Sequence, residues 1–160
     1  MLIRQYTKED LPAMAAIWNE VVAEANAFPQ EDIFTLADAE VFFARQSYTG
    51  VAVDTAGQIT GLYILHPNNV GRCGHIANAS YAVCRDIRGS GIGEALVRDC
   101  LQKSREFGFR ILQFNAVVAT NTAAIHLYEK LGFTRLGTVK GGYRLADGNY
   151  ADIILFYITL

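Results

Sequence analysis

A chain of 160 residues, 51% hydrophobic and 19% charged with a formal net charge of −2, has material for one well-filled core and too little for two ordinary domains, so one domain over residues 1–160 is expected. That balance excludes a disordered chain and a nucleic-acid binder acting through bulk charge, so any anionic ligand has to be held by local groups. Cys73, Cys84 and Cys100 are odd in number and form no Cys-x-x-Cys pair, which points away from a disulfide framework or a metal site and towards a reduced, cytoplasmic setting. No apolar run reaches bilayer length and the N-terminus has no apolar signal core, so no membrane partner is expected.

Residues 2–6 read as a short strand. Thr7 followed three residues later by Asp10 makes a capping box, and Leu11, Met14, Ile17, Trp18, Val21 and Val22 recur at helical spacing, which predicts a helix to about Ala25. Residues 26–32, with Pro29, form a loop; Thr35 and Asp38 repeat the capping signal before a second helix carrying Leu36, Val41, Phe42 and Phe43. Val51–Asp54 and Gln58–Leu65 predict a hairpin around Ala56-Gly57, and 68–74, rich in Asn and Gly, a turn. The strand His75–Val83 alternates poorly, as expected of burial on both faces or of a bulge.

Between Tyr81 and Phe107 an apolar strand runs into a short loop with two basic residues and three glycines, Arg85-Asp86-Ile87-Arg88-Gly89-Ser90-Gly91-Ile92-Gly93, and an amphipathic helix begins where the glycines end. This is the layout of an anion site at a helix N-terminus. Glycine lets main-chain N–H groups approach phosphate oxygens, and the helix dipole favours the negative charge. A nucleotide-hydrolysing P-loop fails here because Glu94 and Ala95 stand where Lys and Ser or Thr are needed. The dinucleotide fingerprint fails because the glycines alternate and their strand lies mid-chain. A glycine-rich turn that binds nothing stays open on the motif alone. Ile92, Ala95, Leu96, Cys100, Leu101 and Phe107 mark the buried helix face, and Gly108 its C-terminal cap. Ile111–Val118 is a strand, Asn121 an N-cap, Gly132 the closing glycine of that helix, and Phe133–Val139 and Asp152–Leu160 are final strands around a turn at Asp147-Gly148-Asn149.

Arg88-Gly-Ser-Gly91-Ile-Gly93, then a helix, a strand, and Asn121-Thr-Ala-Ala124-Ile-His-Leu127-Tyr128-Glu-Lys-Leu131-Gly132-Phe133, resembles the GNAT superfamily of acetyl-CoA-dependent N-acetyltransferases across residues 75–140. The resemblance implies an α/β (α+β) fold: a mixed sheet of roughly six to seven strands, about four helices, and a pair of parallel strands splayed to admit the pantetheine arm. It implies that the His75–Val83 strand carries a bulge, and that the first two helices and their loop border the acceptor. It also implies acetyl-CoA as co-substrate with no metal, a small-molecule amine as partner, and a homodimer or an internal strand as alternatives for Ile153–Leu160.

By the same resemblance Arg88, Gly89, Ser90, Gly91, Ile92 and Gly93 hold the pyrophosphate, the main chain of Tyr81 and Val83 meets the pantetheine arm, Asn121 bonds that arm, and Tyr128 is the general acid. Asn121 and Tyr128 are seven apart on one helix and point the same way. A phenol with an ordinary pKa of about 10 can protonate a thiolate whose conjugate acid is about 8.5 for roughly 2 kcal/mol. Packing as one more core aromatic is the other reading of Tyr128. For the base, no spacing argument selects among His75, Glu24, Glu31, Asp32 and His126. Asn78 and Asn115 lie in otherwise apolar strands, where a buried amide has to find partners. These two stretches resemble acetyltransferases that detoxify a proline analogue, azetidine-2-carboxylate, which implies acceptor contacts; satisfying the splayed strands' own backbone is the alternative. Three functions stay open: transfer of acetyl to a small amine such as an amino acid or analogue, acetylation of a protein N-terminus or lysine, and a non-catalytic acyl-CoA-sensing module.

Overall fold

The computed structural model describes residues 1–160. In chain order the elements are β1 (Leu2–Gln5), α1 (Leu11–Glu24), α2 (Leu36–Ala44), β2 (Tyr48–Val53), β3 (Ile59–Pro67), β4 (Ile76–Val83), α3 (Ile92–Glu106), β5 (Ile111–Val118), α4 (Thr122–Lys130), β6 (Thr134–Arg144) and β7 (Tyr150–Thr159). The seven strands form one mixed sheet in the order β1-β2-β3-β4-β5-β7-β6, as the family resemblance implied. No helix is long and apolar enough to cross a membrane.

Both capping boxes form. Asp10 accepts from the Thr7 N–H at 2.7 Å and pairs with Arg4 at 2.6 Å, which fixes the entry to α1. The expected stripe of α1 is buried, and with α2 it covers one face of the sheet, over Val51, Val53, Leu62, Ile64 and Ala82. The other face, with Ala52, Tyr63, Leu65, Ala77, Leu112, Phe114 and Phe156, is covered by α3 through Leu96, Val97 and Cys100 and by α4 through Leu127 and Tyr128. With both faces covered, every residue of β2 is buried, which is why its sequence does not alternate in polarity. On α2 the expected stripe is narrower: Phe43 is buried, but Leu36 and Val41 are exposed.

The expected bulge on β4 is not there. The β3–β4 register runs without interruption from Gly61↔Val83 to Pro67↔Ala77. The irregularity lies on β5, between Phe114 and Val117, in its pairing with β7. The parallel pair β4–β5 holds together only at Ile76↔Ile111 and Ala77↔Leu112, and beyond those residues the strands part. An extra residue on β5 increases local bending, so the bulge belongs to the strand that swings away. β7 is an internal strand between β5 and β6. β6 runs past the expected end at Val139 to Arg144, its glycine-rich stretch absorbed by register shifts.

A cleft between the splayed strands

The turn from β4 into α3 builds one end of a cleft. Gly89 and Gly91 have φ of 82° and 86°, left-handed values that cost other residues about 1–2 kcal/mol. Gly91 is the N-cap of α3, and no side chain caps the helix. The Ala95 N–H bonds the Gly91 carbonyl at 3.1 Å, so the N–H groups of Ile92, Gly93 and Glu94 precede the helical ladder at the positive end of the helix dipole. Gly89, Gly91, Ile92, Gly93 and Glu94 line a cavity of about 540 Å³. These are main-chain donors without a ladder partner, gathered at one point of the cavity wall.

The side chains around it are arranged differently from the sequence expectation. Ser90 does not line the cavity; its hydroxyl donates to the Ile87 carbonyl at 2.6 Å. Arg88 does line it, with its Nε donating to the Val83 carbonyl at 3.1 Å and its Nη1 to Glu24 at 2.8 Å. Arg85 reaches the same carboxylate at 2.8 Å. Burial alone would raise the Glu24 carboxyl, but hydrogen bonds from Arg88 and Arg85 outweigh it and hold the group below the ordinary carboxylate range. Glu24 is therefore an ionised clamp and is badly suited to take a proton.

β4 supplies the floor. Cys84 N–H donates to the Thr60 carbonyl and Asn68 N–H to the Ile76 carbonyl, so even-numbered main chain faces β3. Odd-numbered groups face β5, which has swung away, and the N–H groups of Tyr81 and Val83 open into the gap. Both residues line the cavity.

A second cavity of about 330 Å³ continues the cleft and shares Ala27, Tyr81, Gly93, Asn121, Ala124 and Leu127 with the first. Phe28, Asn78, Phe114, Asn115 and Tyr128 line it. Asn121 caps α4, accepting from the Ala124 N–H at 3.2 Å, and Tyr128 lies two turns on. The Tyr128 ring packs on Phe114 at 4.5 Å and Phe133 at 5.5 Å between centroids. Burial, with Cys100 nearby, pushes its hydroxyl well above the ordinary phenol range, so it holds its proton at neutral pH. Phe28 is fixed from two sides, by its ring on Trp18 at 4.3 Å and by its carbonyl, which accepts from the Tyr143 hydroxyl at 2.7 Å.

Asn78 and Asn115 lie just past the last β4–β5 pair, where the strands begin to part, but neither is buried: Asn78 is half-buried and Asn115 exposed. A third amide, Asn68, joins them. Its Oδ1 accepts from Asn115 at 2.6 Å and from Asn78 at 3.4 Å. The sequence offered only a turn at Asn68, since this contact spans 47 residues. Among the base candidates, His75, Asp32 and His126 line neither cavity, and Glu31 is paired with Arg144.

The model of the acetyltransferase (GNAT) family matches residues 12–133. An L-methionine sulfoximine/L-methionine sulfone acetyltransferase of Pseudomonas aeruginosa is 33% identical over 99% of this chain and 94% of its own. An N-acetyltransferase, aca1, of Schizosaccharomyces pombe is 31% identical over 93% of this chain and 79% of its own. The structure of a GCN5-related N-acetyltransferase from Kribbella flavida superposes with a TM-score of 0.92 at 32% identity, covering 99% of this chain and 97% of the other.

Proposed function

The chain belongs to the acetyltransferase (GNAT) family, and on that premise we propose that it transfers acetyl from acetyl-CoA to the amine of a small molecule, an amino acid or analogue, by direct attack. The observation that carries this reading is the continuity of the cleft, with the uncapped N-terminus of α3 at one end, amides at the other, and Tyr128 lining the stretch beyond the shared wall. Acetyl-CoA supplies the acyl group as a thioester. The N–H groups of Ile92, Gly93 and Glu94, with Gly89, Gly91 and Arg88 beside them, hold its pyrophosphate; Asn121 and the main chain of Tyr81 and Val83 hold its arm and the reacting carbonyl.

With Glu24 held ionised by two arginines, and the histidines off the cleft, the attacking amine arrives neutral, its proton lost to water. Its nitrogen bonds the carbonyl carbon, the carbon–sulfur bond breaks, and Tyr128 gives the leaving sulfur its proton; the proton that the acylated nitrogen sheds goes to water, and the Tyr128 phenolate takes one back from water. The high phenol pKa opposes that transfer, but the same burial raises the conjugate acid of the thiolate, so the mismatch stays small. Asn78 and Asn115 meet the acceptor. The amino-acid reading also draws on the methionine sulfoximine/sulfone relative.

The test is thiol release from acetyl-CoA with a panel of amines that includes methionine sulfone, methionine sulfoximine and azetidine-2-carboxylate. Turnover of at least one is expected. Acetyl-CoA binding with silence across the panel would sink the small-molecule reading, in favour of a protein acceptor or an acyl-CoA sensor.

A further inference from the structure

We propose that Asn68, which does not line the cleft, is a positioning residue that locks the amides of Asn78 and Asn115 with their N–H groups towards the acceptor, and so selects a carboxylate beside the acceptor's amine. This rests on the reading above that Asn78 and Asn115 meet the acceptor.

One group in this network can only donate. The Ala79 main-chain N–H meets the Asn78 side chain at 2.7 Å, so the atom facing it is Oδ1 and the atom facing Asn68 is Nδ2. The Asn68 atom that receives Nδ2 must then be Oδ1, and the same oxygen accepts from Asn115 Nδ2. Asn68 Nδ2 in turn donates to Asn115 Oδ1 at 3.3 Å, where Gln113 also donates at 3.1 Å.

Each amide carries two N–H donors and an oxygen with two lone pairs. The oxygens of Asn68 and Asn115 each receive two bonds, and that of Asn78 receives the Ala79 N–H. Each Nδ2 still has one N–H to give. Asn78 and Asn115 line the cleft, so what the network offers there is donors without a formal charge, which suit an anionic oxygen pair and leave a neutral CH₂ in the same place with nothing to accept. The Ala79 N–H sets the polarity at Asn78, and Asn68 is the part that holds Asn78 Nδ2 in place and carries the same polarity across to Asn115, because its oxygen takes Nδ2 from both and its own Nδ2 meets Asn115 Oδ1.

Calorimetric titration of the CoA-saturated protein with methionine sulfone and with 3-(methylsulfonyl)propan-1-amine isolates the carboxylate, since the two differ in nothing else. The wild type should favour the acid by about tenfold or more. Asn68→Asp keeps the accepting oxygen but removes the donor and adds negative charge; it should abolish that preference while changing the affinity for CoA and for the amine by less than about threefold. Asn68→Leu, of the same size, should weaken the preference without reversing it.

Equal binding of the two compounds by the wild type, binding of neither, or an unchanged ratio in both variants overturns the proposal. So does loss of CoA affinity in both variants, which would make Asn68 structural. Turnover measured in parallel separates this from the acetyl-transfer reading: discrimination without turnover sinks only that reading, and turnover with an unchanged ratio sinks only the role of Asn68.

Discussion

The two ends of the cleft are built from different material. At the start of α3 the polar groups at the cleft are main-chain N–H donors set by two left-handed glycines; where β4 and β5 begin to part they are the side chains of Asn78 and Asn115, both bonded to Asn68, on a wall shared with Phe28 and Tyr128. Main-chain donors are the same in any sequence, so that end can be altered only by disturbing the backbone or the charge around it. Side-chain donors can be changed one atom at a time. In the proposed reaction that difference has a meaning: the co-substrate is held by backbone geometry and the acceptor is selected by side-chain identity, so one fold keeps the first while the second varies.

Substitutions should respect that division. The largest effect is expected where both halves meet: Tyr128→Phe should lower kcat roughly 10²–10⁴-fold with little change in either KM. Because burial raises the phenol's pKa, wild-type kcat should climb as the acceptor amine loses its proton and show no alkaline fall up to about pH 10. A Tyr128→Phe enzyme within about fivefold of wild type would remove the acid from the scheme.

Next comes Asn78→Ala, which should cost about 10–100-fold in kcat/KM for a carboxylate-bearing acceptor, as for one lost hydrogen bond to a charged group, with the KM for acetyl-CoA unmoved. Gly91→Ala is its mirror image. Straining a residue at φ 86° should raise the KM for acetyl-CoA about tenfold and leave the acceptor's KM alone. An effect of either on the other end would break the comparison.

The smallest shift belongs to Glu24→Gln. One carboxylate now serves two arginines beside the anion seat, so removing its charge should tighten acetyl-CoA about two- to fourfold at low salt, an advantage lost near 1 M salt. The arginines hold the Glu24 carboxyl below its ordinary pKa even though burial would raise it, so wild-type Glu24 stays ionised and the gap between the two proteins should be flat from about pH 6 to 9.

Much of this was legible because it is local. The Thr7–Asp10 and Thr35–Asp38 boxes, the alternating glycines before α3, and Asn121 and Gly132 around α4 each act within a turn or two, and their spacing carries the geometry. The acceptor end was legible only as two asparagines out of keeping with their strands; Asn68, which joins them, sits in a stretch whose composition signals nothing but a turn. The Glu24 clamp joins residues 61 and 64 positions apart, and no pattern in α1 separates a clamp from a base. The bulge was expected on β4 from the family resemblance, its poor alternation having left burial on both faces or a bulge open; β4 pairs with β3 without interruption, and β5 bends instead. Ser90 had the right neighbours for a phosphate ligand, yet its hydroxyl is spent on its own turn.

The early parting of β4 and β5 bears on solvent exchange. β4 is the middle strand of seven, where amide protons ordinarily trade with deuterium slowest. Tyr81 and Val83 point their N–H groups at a partner that has left after two residue pairs, so these two should exchange as quickly as those of an edge strand, while the even-numbered amides beside them, Ser80 and Ala82, which face β3, stay protected. Saturation with CoA should slow the fast pair and leave the slow ones as they were, giving a residue-by-residue record of when the gap is filled.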